Sequence, residues 1–140
     1  MRHIAVKTLV VVALMALAAG CAGRGGPSDE DLIIGQVEAW KAGLVAHDIA
    51  QIMAPFSEKF AHYETGDKAG LQDFMEGAID MGYLDDVEVF HEEAEITIED
   101  GVATVYPIDL SSSAGSVTIE FTLTKEDGGW MMTGMDIEGL

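Results

Sequence analysis

The sequence predicts an α+β domain, with three helices packed on one face of an antiparallel sheet. Two features carry that prediction. From Asp29 to Gly82 apolar residues recur mostly at steps of three and four, the spacing of one helix face; beyond Tyr83 they recur at every second residue, the spacing of one strand face. In that second half, turn signals at Asp100-Gly101 and Glu126-Asp127-Gly128-Gly129 separate the apolar runs, as hairpins require.

Ser28 suits the N-cap of the first helix, with Asp29, Glu30 and Asp31 filling the turn where the helix dipole favours negative charge. Ile33, Val37, Trp40 and Leu44 then form one apolar stripe, which His47-Asp48 interrupts. Asp48 caps a shorter second helix, with Gln51 as its capping-box partner and Pro55 beyond its end. Phe60, His62 and Glu64 alternate with Lys59, Ala61 and Tyr63, the pattern of a strand. Asp67 caps a third helix that turns Leu71, Phe74, Met75, Ala78 and Ile79 to one side and stops at Gly82. Val87–Glu99 reads as a long strand with an irregularity at His91-Glu92-Glu93, because Val87 and Val89 are out of phase with Ile96 and Ile98. Val102–Leu110 pairs back through the Asp100-Gly101 turn, and Ser111–Gly115 is a polar turn. Val117, Ile119, Phe121 and Leu123 define the next strand, and Trp130–Glu138 the last.

The start of the chain is of a different kind. Arg2 and Lys7 precede an apolar run, Leu9–Ala19, and small residues Ala18, Ala19 and Gly20 lead to Cys21, the one cysteine of the chain. This is the layout of a secretory leader, and with a cysteine directly after the small residues it resembles a bacterial lipoprotein signal with its lipobox. The resemblance implies acylation at Cys21, removal of residues 1–20, and a lipid-anchored protein in the cell envelope. With Ala22 after the cysteine it implies the outer membrane where the cell has one, and otherwise the outer face of the plasma membrane. The apolar run is far shorter than the roughly 20 residues of a membrane-crossing helix, and a lone cysteine excludes an intramolecular disulfide. Residues 21–28 form a tether of glycine and small residues, and residues 29–140 the domain. Without the leader the chain keeps 5 of its 7 Lys and Arg and all 25 Asp and Glu, a formal charge of −20. Such a charge excludes nucleic acid as a partner and disfavours anionic ligands.

Within the domain, Trp40 on the first helix, Ala46-His47-Asp48-Ile49 before the second, Phe56 and Phe60, Gly66-Asp67-Lys68 opening the third, and Gly128-Gly129-Trp130-Met131-Met132 on the last strand occur in a particular order. That order is similar to the nuclear transport factor 2-like (NTF2-like) superfamily, a cystatin-like roll that includes ketosteroid isomerases, SnoaL-like cyclases and many non-catalytic binding or assembly domains. The resemblance implies a curved antiparallel sheet forming a cone around an apolar cavity. The residues expected to face inward are Trp40, Phe56, Phe60, Phe74, Tyr83, Phe121, Trp130 and Met132, with His62, Tyr83 and Asp136 as polar handles. The ligand expected there is apolar and either neutral or cationic.

Catalysis finds little support among the residues. The isomerases' carboxylate base works with a tyrosine and a protonated acid in an apolar cavity, and the first helix, Asp29–Ala46, contains no tyrosine. Asp136 faces inward if the last strand alternates regularly, which leaves an isomerase, dehydratase or cyclase as the alternative. His91-Glu92-Glu93-Ala94-Glu95 is similar to a zinc protease signature, but Glu95 stands at the second histidine's place, and His91 with Glu93 makes too few ligands. No metal or cofactor is expected. The role expected is a non-catalytic binding or assembly domain, with the sheet's outer face as the surface for a homodimer.

Overall fold

The computed structural model describes residues 26–127 and 129–139. Cys21, the leader and most of the tether lie outside the described residues.

The three expected helices are present, and local chemistry starts each of them. In α1 (Asp29–Ala46) the Ser28 hydroxyl accepts from the Asp31 N–H at 3.1 Å. The Asp31 carboxylate accepts in return from the Ser28 N–H at 3.2 Å, so two otherwise free donors are satisfied together. The helix ends as His47 turns left-handed at φ 52°. Asp48 caps α2 (Ile49–Met53) by accepting from the Gln51 N–H, and Asp67 caps α3 (Lys68–Asp80) by accepting from the Gly70 N–H.

Between α2 and α3 the expected strand is cut to two residues. The Phe60 N–H is drawn back to the Ser57 carbonyl, so β1 (Ala61–His62) starts late and folds directly onto β2 (Gly66–Asp67). The long strand expected over residues 87–99 is two strands, β3 (Glu88–Phe90) and β4 (Glu95–Glu99). The irregularity foreseen at residues 91–93 is a turn, in which the Ala94 N–H bonds to the His91 carbonyl. Both strands pair with β5 (Val102–Ser112). Asp100 and Gly101, with φ of 51° and 75°, make the tight turn between β4 and β5. β6 (Gly115–Glu126) and β7 (Gly129–Glu138) complete an antiparallel five-stranded sheet.

The cone is not formed. The sheet runs β3-β5-β6-β7 with β4 beside β3 along the same edge of β5, so it is open and neither closed nor strongly curled. The broken edge strand never meets β7. Part of β7's free edge is covered instead by the chain after α2: the Ser57 N–H donates to the Met132 carbonyl at 2.8 Å, and the Met132 N–H to the Pro55 carbonyl at 2.9 Å. Such cover shields an edge from pairing with another chain.

The core lies between the helices and the inner sheet face. Ile33, Val37, Trp40 and Leu44 meet Val105, Ile108, Phe121 and Leu123, all buried. Trp40 stands edge-on to Phe121 with centroids 4.8 Å apart, and Phe56 edge-on to Phe60 at 5.2 Å, the arrangement that ring quadrupoles favour. At the other end of α1 the Trp130 indole N–H and the Lys125 ammonium both donate to Asp29 Oδ1 at 3.0 Å. These bonds tie the first turn of α1 to the last strands.

Two bulges set which side chains face the core. In the β5–β6 ladder, pairing jumps from Val105↔Phe121 to Ile108↔Ile119, so Tyr106 and Pro107 together oppose one residue. Proline, which has no N–H to donate, is tolerated at such a place. In the β6–β7 ladder it jumps from Leu123↔Met132 to Thr122↔Gly134, leaving Thr133 as the extra residue.

Candidate functional site

A pocket of about 420 Å³ opens between α1, α3 and the sheet. Trp40 and Leu44 of α1 form its floor, with Leu71, Met75 and Ala78 of α3 on one side. Leu110, Val117, Ile119, Met135 and Ile137 of the sheet face them. The pocket follows from the pattern of elements: α3 packs closely on α2 and β2 and leaves a gap above the far end of β5, β6 and β7. Phe74 and Tyr83, both at least half exposed, stand at the mouth.

Ser112 and Ser116 make part of the polar wall, and the turn from His62 to Thr65 makes the rest. It is held tightly against the start of α3, because Gly70 approaches so closely that a Cβ there would run into the Thr65 carbonyl oxygen. His62 is only 9% exposed. Its Nδ1 accepts from the backbone N–H groups of Glu64 at 3.3 Å and Thr65 at 3.4 Å. A neutral ring held this way carries its proton on Nε2. That Nε2 and the Thr65 hydroxyl oxygen are both buried and have no hydrogen-bond partner among the described residues.

Of the residues named from sequence, Trp40, Phe56, His62 and Tyr83 line the pocket, as does Phe74. Phe60, Phe121, Trp130 and Met132 are buried core residues outside its lining. Asp136 is on the opposite face of the sheet. Regular alternation from Trp130 and Met132 would place it inside; the extra residue Thr133 reverses that alternation, so Asp136 lies exposed beside Glu120. The same bulge brings Met135 and Ile137 inward, which alternation does not foresee. Gly134 carries the signal, since a glycine inside a strand often marks a bulge. Thr65 is also absent from the residues named from sequence, because in the chain it reads as part of a plain loop.

Two other clusters lie outside the pocket. His91 Nε2 sits 3.7 Å from Glu38 Oε1 of α1, and no group of three or more metal-ligating side chains gathers among the described residues. On the outer sheet face the Tyr106 hydroxyl donates to Glu138 at 3.3 Å and that of Thr118 to Asp109 at 2.8 Å. The charge of Glu138, with burial and neighbouring acids, pushes the Tyr106 phenol above its usual range. This outer face, with threonines along β6, is a surface consistent with an oligomeric contact.

No protein-family model matches the chain, and no curated protein matches it in sequence. Solved structures do match in shape. A domain of unknown function with a cystatin-like fold from Nostoc punctiforme has a TM-score of 0.64 at 16% identity, with 81% of this chain and 78% of that chain covered. An NTF2-like protein of unknown function from Pseudomonas putida gives 0.64 at 13% identity, with 77% and 84% covered. Aln2 from a Streptomyces species gives 0.64 at 12% identity, with 81% and 92% covered. At such identities the likeness speaks for architecture alone, and that architecture is the fold of the NTF2-like and cystatin-like proteins.

Proposed function

We propose that this protein is a non-catalytic domain that binds a small apolar molecule, held at a bacterial envelope membrane by lipid on Cys21. The observation that carries the binding reading is the pocket of about 420 Å³ walled mainly by aliphatic and aromatic side chains, the character of small-molecule sites. Met75 and Met135 on opposite walls add an adaptable surface. The acid named from sequence as a catalytic base, Asp136, is on the far side of the sheet from the pocket. The Leu14–Cys21 run supports the anchor.

Binding of the neutral dye Nile red to the full chain tests this, with Ala78→Phe as the blocking variant. Ala78 is 7% exposed on the pocket side of α3, so a phenyl ring there fills the space a ligand would take. Saturable fluorescence enhancement in the wild type, lost in Ala78→Phe while circular dichroism shows the fold intact, is the expected result. No saturable enhancement in the wild type would overturn the reading.

A homodimer through the sheet is the second reading, favoured by the broad outer face of β5, β6 and β7. Asp109, Glu120, Asp136 and Glu138 all belong to that face. A twofold contact sets the same patch against itself, so association through it should strengthen as salt screens the acids, measurable by sedimentation velocity.

A further inference from the structure

We infer that the pocket selects a neutral apolar molecule ending in a hydroxyl or carbonyl oxygen, which accepts from His62 Nε2–H and shares a hydrogen bond with the Thr65 hydroxyl. This rests on the pocket being a binding site and names what it binds. Three observations lead there. First, the turn fixes the direction of donation: two backbone N–H groups occupy His62 Nδ1, so the ring has only an N–H left to offer on its other side. Second, that N–H and the Thr65 oxygen are buried without partners among the described residues, on two residues that both line the pocket. Buried polar groups are nearly always hydrogen-bonded, and a pair of orphans in a mainly apolar wall is the usual form of a specificity handle. Third, the turn is braced, since Gly70 presses against the Thr65 carbonyl, and a rigid donor is the kind that discriminates between ligands.

The charge of the ligand end follows from the same atoms. An ammonium would set its own donors against the His62 N–H, leaving both unpaired. A carboxylate would share the wall with Glu64 and approach through the field of a strongly acidic chain. An uncharged oxygen has neither conflict. A hydroxyl can accept from His62 and donate to Thr65, and a carbonyl can accept from both.

The test compares phenylcyclohexane with 4-phenylcyclohexanone, molecules of one skeleton with and without the oxygen, as competitors of Nile red on the full chain. The quantity read is the ratio of their affinities, so differences in hydrophobicity cancel between variants. His62→Phe should shift that ratio against the ketone by on the order of tenfold, and Thr65→Val by about threefold. Because His62→Phe also deprives the turn of its acceptor, the wild type is read directly as well. The ketone, and not the hydrocarbon, should move the Nε2–H resonance of His62 in nitrogen-15 NMR spectra. If both probes bind but the ratio stays constant across the variants, or the ketone leaves the His62 resonance unmoved, the oxygen-selecting role is wrong and the apolar pocket stands. If neither probe displaces the dye, the oxygen-selecting role is overturned, while the binding reading stands or falls with the dye's own saturable enhancement.

Discussion

Asp29 is the first residue of α1, yet its carboxylate serves the other end of the chain. The Trp130 indole donates to it, and the Lys125 ammonium does so beside it; these bonds hold the Asp29 carboxyl below its ordinary value of 3.8, the indole contributing most. A carboxylate depressed in this way stabilises the folded state above its unfolded pKa, and that contribution is lost as pH falls through the folded value. Asp29→Asn should therefore melt below wild type near pH 7. The gap should close as pH drops below about 3.8, in thermal melts followed by circular dichroism. A gap that stays constant down to the most acid pH at which the fold survives would show that the charge of Asp29 contributes nothing. Lys125 also lies 5.8 Å from the Trp130 ring centroid, so one lysine supports both partners of this contact.

Among the elements, what depends on neighbouring residues was legible in the sequence and what depends on pairing was not. The three N-caps, Ser28, Asp48 and Asp67, act on N–H groups three residues away, so their signals are complete in the chain itself. The turn at Asp100-Gly101 is of the same kind. The phase slip between Val89 and Ile96 marks an irregularity at residues 91–93, but its depth, a full break into two strands, and the bulge at Thr133 are decided by the strands alongside. The site divides in the same way. Trp40 is identifiable from its helix stripe and His62 from its alternation with Phe60 and Glu64, both patterns of neighbouring residues. Asp136 is misplaced by simple counting, and Met135 and Ile137 overlooked, because all three lie beyond the bulge. The bulge also sets Asp136 directly across from Glu120, and like charges opposite one another weaken a sheet. Asp136→Lys should stabilise the protein by about 0.5 kcal/mol at low ionic strength, and the gain should shrink in roughly 1 M salt. Urea unfolding at both salt concentrations would measure it, and a destabilised variant would contradict the assigned face.

At the scale of the whole molecule, the proposed anchor would hold an acidic domain near a membrane by lipid on Cys21, its one cysteine. Acids are spread along the chain from Asp29 to Glu138, a distribution suited to solubility and to repulsion from anionic headgroups. Cys21→Ser should leave the protein unlabelled by radioactive palmitate and with its leader uncut, and fractionation should show it losing its normal anchoring. Unchanged labelling would refute the anchor while leaving the pocket reading intact. The two halves of the proposal can therefore fail separately, as expected when address and binding are encoded in different parts of a chain.

The unpaired Thr133 makes the far wall of the pocket a matter of parity. Downstream of it, odd-numbered residues face the ligand space and even-numbered ones face solvent, the reverse of what strict counting from Trp130 requires. Deleting Thr133 would thus close the ladder into regular pairing and leave every later residue on the face it now holds. Met135 and Ile137 would stay inward and Asp136 and Glu138 outward; only the same strand paired without a bulge, Thr133 retained, would turn the two acids into the cavity. A pocket for greasy molecules and a pocket lined with acids differ, in this strand, by whether one residue is left out of the ladder.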